Sequence, residues 1–269
     1  AWSGFSSFVG FLIIFRTSQS YSRFWEGCKT THAMRAEWYD ACSTLAAYCE
    51  HTKAMDPSKL ADVVKFKQTI VRLFSVLHAC CLAELEEINR DTGDFDRVNA
   101  YSFPVIDPIS LDKETMATLK VSTAKTELVH SWIQCLIIQH QHQGTLTVPA
   151  PLLAKVFNDI SAGMVAFNDG VKMSFIPFPF PYVQTCDFLL VLHWLVLPFV
   201  CCHWVTSPVW AVILVFMQVF ILWSLNYIAI EIENPFGVDP NDLDGRHMQQ
   251  EFNQHLTTLL QKSTLRVPE

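Results

Sequence analysis

Three stretches of the sequence hold residues of the types that could do chemistry. QHQHQ sets His140 and His142 two positions apart, half of a metal site if both faced the same way. On a helix, residues three or four apart are neighbours and residues two apart are not. A solvated helix end is therefore the expected use of this pair. Cys201-Cys202-His203 offers soft ligands but lies inside an apolar run, where adjacent cysteines most often serve as small packing residues. DPNDLDGRHMQQE places Asp242, Asp244, Gly245 and Glu251 at positions three, five, six and twelve of a calcium loop. Its first position is Pro240, which has no carboxylate for the ion, and the residues after the acidic stretch read as the start of a helix. The stretch is expected to form an acidic turn (Asp239, Asn241, Asp242) sensitive to cations. No metal centre and no cofactor are expected.

Enzyme signatures are absent: there is no GxGxxG, phosphate loop, HExxH or GxSxG. No catalytic residue is assigned, and no enzymatic activity is expected. The nine cysteines include the pairs Cys80-Cys81 and Cys201-Cys202 but no CxxC. An odd count without a framework points to reduced thiols. A formal charge of −7 argues against nucleic acid as a partner, since phosphate binding needs a basic footprint.

The elements that must position any site belong to a membrane protein. The chain is 51% hydrophobic and 17% charged, well below the charged quarter of a soluble domain. Residues 1–15 carry no charge and end at Arg16. A span needs about 20 apolar residues, so the expectation is a membrane helix cut short, with a further span missing before it. FLLVLHWLVLPFVCCHWV (188–205) and VWAVILVFMQVFILWSLNYIAI (209–230) flank Thr206-Ser207-Pro208 and predict a transmembrane hairpin, with Pro198 bending its first arm. Lys and Arg occur at Arg16, from Arg23 to Lys172 and from Arg246 onward, but nowhere between 173 and 245. By the positive-inside rule that basic side is the cytosol, stroma or matrix.

Residues 29–172 contain no run expected to span, and periodicity predicts helices over 30–52, 58–89, 112–120, 124–142 and 152–172. A loop rich in Asp, Asn, Gly and Pro covers 90–108. The chain is thus expected to be all-α and multi-pass, with three visible spans. Its parts are a truncated membrane helix and its exit (1–28), a helical domain on the basic side (29–172), the hairpin (173–231), and an acidic turn with a C-terminal helix (232–269).

Within the first span, Phe11 and Phe15 share a helix face that Ser7 continues one turn earlier. Arg16 and Arg23 come next along the chain. Pro177, Pro179 and Pro181 in IPFPFPYVQ predict extended backbone at the membrane boundary.

FRTSQSYSRFWEG (15–27), IPFPFPYVQ (176–184) and IENPFGVDPNDL (232–243) together resemble the motifs of bestrophin-type anion channels, in order and spacing across essentially the whole chain. The form of these motifs is similar to the bacterial and plant branch, including the voltage-dependent chloride channels of chloroplasts. The resemblance implies a homopentamer around one pore, four membrane helices per subunit and a helical domain that extends the conduit. It implies a hydrophobic neck at Ser7, Phe11 and Phe15, where Ser7 departs from a commonly aliphatic position, and a second constriction near Pro151 or Leu152. The calcium clasp of the animal branch is not implied, because Pro240 interrupts the acidic stretch.

An apolar constriction can gate by dewetting, and large anions lose less than small cations on partial dehydration. Aromatic ring edges are positive and can face an anion. Arg16 and Arg23 read either as groups that concentrate anions near the neck or as interfacial anchors. The implied function is a passive channel for chloride-type anions, with bicarbonate or nitrate included. The alternative is a non-conducting structural subunit of a larger membrane assembly. Expected partners are lipids, inorganic anions and further copies of the chain, with a thylakoid or other organelle membrane as the expected location.

Overall fold

The computed structural model describes residues 2–88, 103–237, 239–261 and 264. Every regular element among them is helical: α1 (Trp2–Met55), α2 (Leu60–Ile88), α3 (Lys113–Val121), α4 (Lys125–His142), α5 (Ala150–Phe175), α6 (Phe180–Trp204), α7 (Pro208–Ile232) and α8 (Gly245–Thr258). Short 3-10 turns at Pro57–Lys59 and Pro108–Ser110 precede α2 and α3. Most of the loop expected at 90–108 lies outside the described residues.

The chain divides into two compact units. One comprises residues 1–28, 173–235 and 239–242; the other comprises 29–172, 236–238 and 243–269. The separate helices expected on either side of residue 29 are a single element, α1. No proline interrupts that stretch, and Gly27 is carried within the helix rather than ending it.

In the first unit, α6 and α7 form the expected hairpin. The connection Val205–Ser207 is extended at both ends, and Pro208 opens α7, where its missing N–H costs nothing. α6 continues through Pro198. The prolines of IPFPFPYVQ confine extended backbone to a shorter stretch than expected. Helix α6 begins at Phe180, with Pro181 accommodated in its first turn.

Among the described residues, three helices are long and apolar enough to cross a membrane, and two of them are the hairpin arms that the sequence suggests. They are Pro57–Glu86, Phe180–Trp204 and Pro208–Ile232. The opening of α1 is not among them, and the stretch containing α2 corrects the expectation that residues 29–172 hold no such run. Burial separates the three. The most apolar window of α2 is 78% buried, against 28% for α6 and 11% for α7. Apolar side chains such as Phe188, Phe199, Val212 and Phe216 stand exposed along α6 and α7, as lipid contact requires. α2 is apolar because protein surrounds it.

The second unit is built around α2, which packs on α4 and α8. Phe66, Ile70, Phe74 and Leu77 are fully buried there. Trp38 of α1 joins this core, and its indole N–H donates to the Ile160 carbonyl at 3.2 Å. A Cβ on Gly163 would fall 2.6 and 2.7 Å from Trp38 Cδ1 and Cε2. Only glycine lets α5 approach the indole this closely.

Candidate functional site

The first turns of α1 have two faces. Val9, Ile13, Arg16 and Ser20 are buried. Val9 and Ile13 pack with Cys186, Leu190 and Leu222 of the hairpin. Ser7, Phe11 and Phe15, the three residues that the sequence singles out, lie on the other face and are exposed. The rings of Phe11 and Phe15 stack at 6.5 Å. Phe15 also meets Tyr182 at 5.8 Å, and the Tyr182 hydroxyl donates to the Leu12 carbonyl at 3.1 Å. The hairpin therefore supports the helix from behind and leaves an aromatic stripe facing outward.

Arg16 is 2% exposed. A guanidinium so withdrawn from water needs counter-charge and acceptors. Its Nη1 donates to Asn226 Oδ1 at 2.7 Å and to Asp187 Oδ1 at 3.3 Å, while Nη2 stands 3.9 Å from a Glu233 carboxylate oxygen. Asn226 Nδ2 closes the cluster on Asp187 Oδ1 at 3.2 Å. One guanidinium facing two carboxylates leaves a net negative cluster.

Arg23 performs a different task. Its guanidinium donates to the carbonyls of Met173 at 2.8 Å, Ile176 at 2.9 Å and Glu233 at 3.3 Å. These carbonyls sit at the C-terminal ends of α5 and α7, where helices leave acceptors unpaired and carry partial negative charge. Glu233 also accepts from the Phe178 backbone N–H at 3.2 Å. The three motifs singled out in the sequence thus meet at one clamp. Sequence reasoning misses Asp187, Asn226 and Glu233 as partners, although an Asp and an Asn beside or within apolar runs are themselves a signal.

Other singled-out residues lie elsewhere. Pro151 and Leu152 are exposed in the first turn of α5, where the Leu152 carbonyl accepts from the Tyr48 hydroxyl at 3.2 Å. In the acidic turn, Asp242 accepts from the Asp239 N–H at 3.0 Å, and Asn241 Nδ2 donates to Glu231 at 3.1 Å. Partial burial, then the nearby Asp239 and Glu231 charges, hold the Asp242 carboxyl above its ordinary value. Among the described residues, no group of three His, Cys, Asp or Glu side chains is placed to hold a metal ion. His140 meets Phe66 in a tilted ring contact at 4.8 Å rather than pairing with His142.

A lipid-exposed helical hairpin bracing an aromatic-faced helix, together with a separate helical unit, defines an all-α integral membrane protein. The chain belongs to the bestrophin family: the family model described as Bacterial/Fungal Bestrophin protein matches residues 3–258. It is 24% identical over 235 residues to a voltage-dependent anion channel-forming protein of Nostoc, covering 87% of this chain and 69% of that one. A protein of the same description from Synechocystis is 24% identical over 266 residues, covering 94% and 75%. Among solved structures, a point mutant of a bacterial bestrophin homolog from Klebsiella pneumoniae aligns with TM-score 0.77 at 17% identity, over 96% of this chain and 85% of that one. Another Klebsiella homolog structure, phased by Zn-SAD, gives 0.76 at 18%, over 96% and 86%. These structures share the fold.

Proposed function

We propose that the chain is a subunit of a passive anion channel in which Ser7, Phe11 and Phe15 line the neck of a pore formed by several copies, five in the arrangement that the resemblance implies. The observation that carries this reading is the two-faced first part of α1. Its buried face is fixed to the hairpin, while its aromatic stripe is exposed and free to face the same stripe of other copies. The cyanobacterial relatives are named as channel-forming for anions, which supports the same assignment.

A ring of such stripes makes an apolar constriction that passes ions able to shed water cheaply. Chloride, bromide and nitrate fit that chemistry better than small cations. Arg16 and Arg23 enter as the residues that hold the neck helix in place, their charges met by Asp187, Glu233 and the two helix ends.

The test is current through the purified full chain in planar bilayers under a chloride gradient. An intact oligomer should reverse near the chloride equilibrium potential. Phe11→Ala with Phe15→Ala should raise conductance or loosen selectivity. An intact oligomer that carries no current, or reversal near the cation potential, would reject the channel reading; unchanged double-variant currents would reject the neck.

A further inference from the structure

His193 lies in α6 and is 1% exposed. It is withdrawn from water within a membrane helix, where an ionisable side chain is costly and is retained for a reason. Its Nε2 is 3.2 Å from Ser6 Oγ of α1 and 3.3 Å from Gln218 Nε2 of α7. Gln218 Nε2 in turn donates to Ser6 Oγ at 2.7 Å. Three helices thus meet at one imidazole nitrogen. With the amide hydrogen directed at Ser6, the Ser6 hydroxyl is free to donate to Nε2, which leaves that nitrogen as an acceptor and the ring proton on Nδ1. Trp2 and Phe5 lie against the ring, with centroids at 5.3 and 6.3 Å and interplanar angles of 21° and 27°. An imidazolium gains from such aromatic faces in a way that a neutral ring does not.

The charged and titratable groups on the packed elements are distant along the chain. On α1 the nearest is Arg16, ten positions from Ser6, and it is already paired. On α6, Asp187 lies six positions before His193, about 9 Å along the axis, and is engaged by Arg16. Cys186, Cys201, Cys202 and His203 are seven to ten positions away. On α7 the nearest is Tyr227, nine positions from Gln218, with Glu231 thirteen positions away. No described carboxylate pairs with His193, so a proton there would not be cancelled as the charge of Arg16 is.

We propose that His193, Ser6 and Gln218 form a proton-binding site beside the neck, and that its occupancy places an uncompensated positive charge next to Ser7 and raises the pore's preference for anions. One proton from water adds to the Nε2 lone pair, and no other bond changes. The Ser6 hydroxyl rotates to accept from the new N–H, and the Gln218 amide turns so that Oε1 accepts as well. The effect on current rests on the channel reading above; the protonation rests on the cluster alone.

Two measurements on the full chain separate them. In lipid nanodiscs, the imidazole ¹⁵N signal absent from His193→Gln should titrate as the pH is lowered. Ser6→Ala removes a donor to the neutral ring and an acceptor for the charged one; the bond to the charged ring is the stronger, so that midpoint should move to lower pH. In bilayers, the chloride-to-potassium permeability ratio of the unaltered chain should rise about threefold or more between pH 8 and pH 5, as one added charge near the path requires. In His193→Gln it should stay flat. A signal that does not titrate, or a midpoint indifferent to Ser6→Ala, overturns the site. An acid response that survives in His193→Gln, or a pH-independent ratio in the unaltered chain, overturns its role in selectivity. A titrating signal in a chain without current leaves the proton site standing and removes the channel reading instead.

Discussion

Replacing Arg16 separates a residue that attracts ions from one that holds helices together. Its guanidinium is 2% exposed, with Asp187 half exposed and Glu233 largely buried around it. Arg16→Met removes the donor of the 2.7 Å bond and strands Asn226 Oδ1 in a side chain that is 2% exposed. Breaking a buried pair from one side costs about 3–5 kcal/mol. The exposure of Asp187 allows solvent to take up part of that loss, which brings the expectation to about 3 kcal/mol, more than a hundredfold in the folding equilibrium. Lysine keeps the charge but not the planar fork, whose Nη1 meets Asp187 and Asn226 while Nη2 faces Glu233, so Arg16→Lys should lose at least half as much. Reversible unfolding in mixed micelles against dodecyl sulfate measures both. The Arg16→Met loss should shrink in an Asp187→Asn background, because the two groups act as a pair. If Arg16→Met unfolds like the unaltered chain while its anion current collapses, the guanidinium serves conduction and the clamp argument is wrong.

Arg23→Ala should cost about 2–3 kcal/mol by uncapping two helix ends, with Arg23→Lys restoring part of it; equal stability of all three chains would show that the carbonyls find other donors. Gly163→Ala should cost about 3 kcal/mol through overlap with the Trp38 ring and should shift Trp38 fluorescence. By contrast, Gly170→Ala, whose added Cβ meets a flexible Leu85 methyl at 3.2 Å, should cost less than about 1 kcal/mol; equal losses would refute the packing argument. The pKa of His78 is pushed down from 6.5 to about 4, chiefly by burial and secondarily by the Arg35 charge, against the hydrogen bond to Gln249. The unfolded chain takes up this proton below pH 6.5 and the folded chain only near 4. Stability is therefore complete above about pH 6.5 and declines toward pH 4, by up to about 3 kcal/mol. His78→Asn should flatten that decline between about pH 7 and pH 4.5 in denaturant titrations, and an unchanged slope would place the acid sensitivity elsewhere.

The hairpin is legible in the sequence because two unbroken apolar runs with a Ser-Pro break leave few other solutions. Helix α2 is not, because burial in protein and burial in lipid demand the same side chains. Only α4 and α8, distant in sequence, decide between them. The stretches around Phe15, Ile176 and Glu233 are legible as motifs. Their meeting at Arg23 is not, since backbone carbonyls accept its bonds and carry no sequence signature. Ser6, His193 and Gln218 each look like a lone polar residue in an apolar helix. No periodicity connects positions 187 and 212 residues apart.

Helix α2 also sets a problem of synthesis. It leaves the ribosome with the length and hydrophobicity of a membrane segment, ahead of the helices α4 and α8 that will cover it. Its seal is completed only when α8 arrives, with Gln249 bonding to His78 at 2.6 Å and to the Ser75 carbonyl at 3.0 Å. Until then the insertion machinery faces a segment it could thread across the bilayer, inverting everything downstream. Truncating or loosening α8 should therefore first be seen as chains of the wrong orientation.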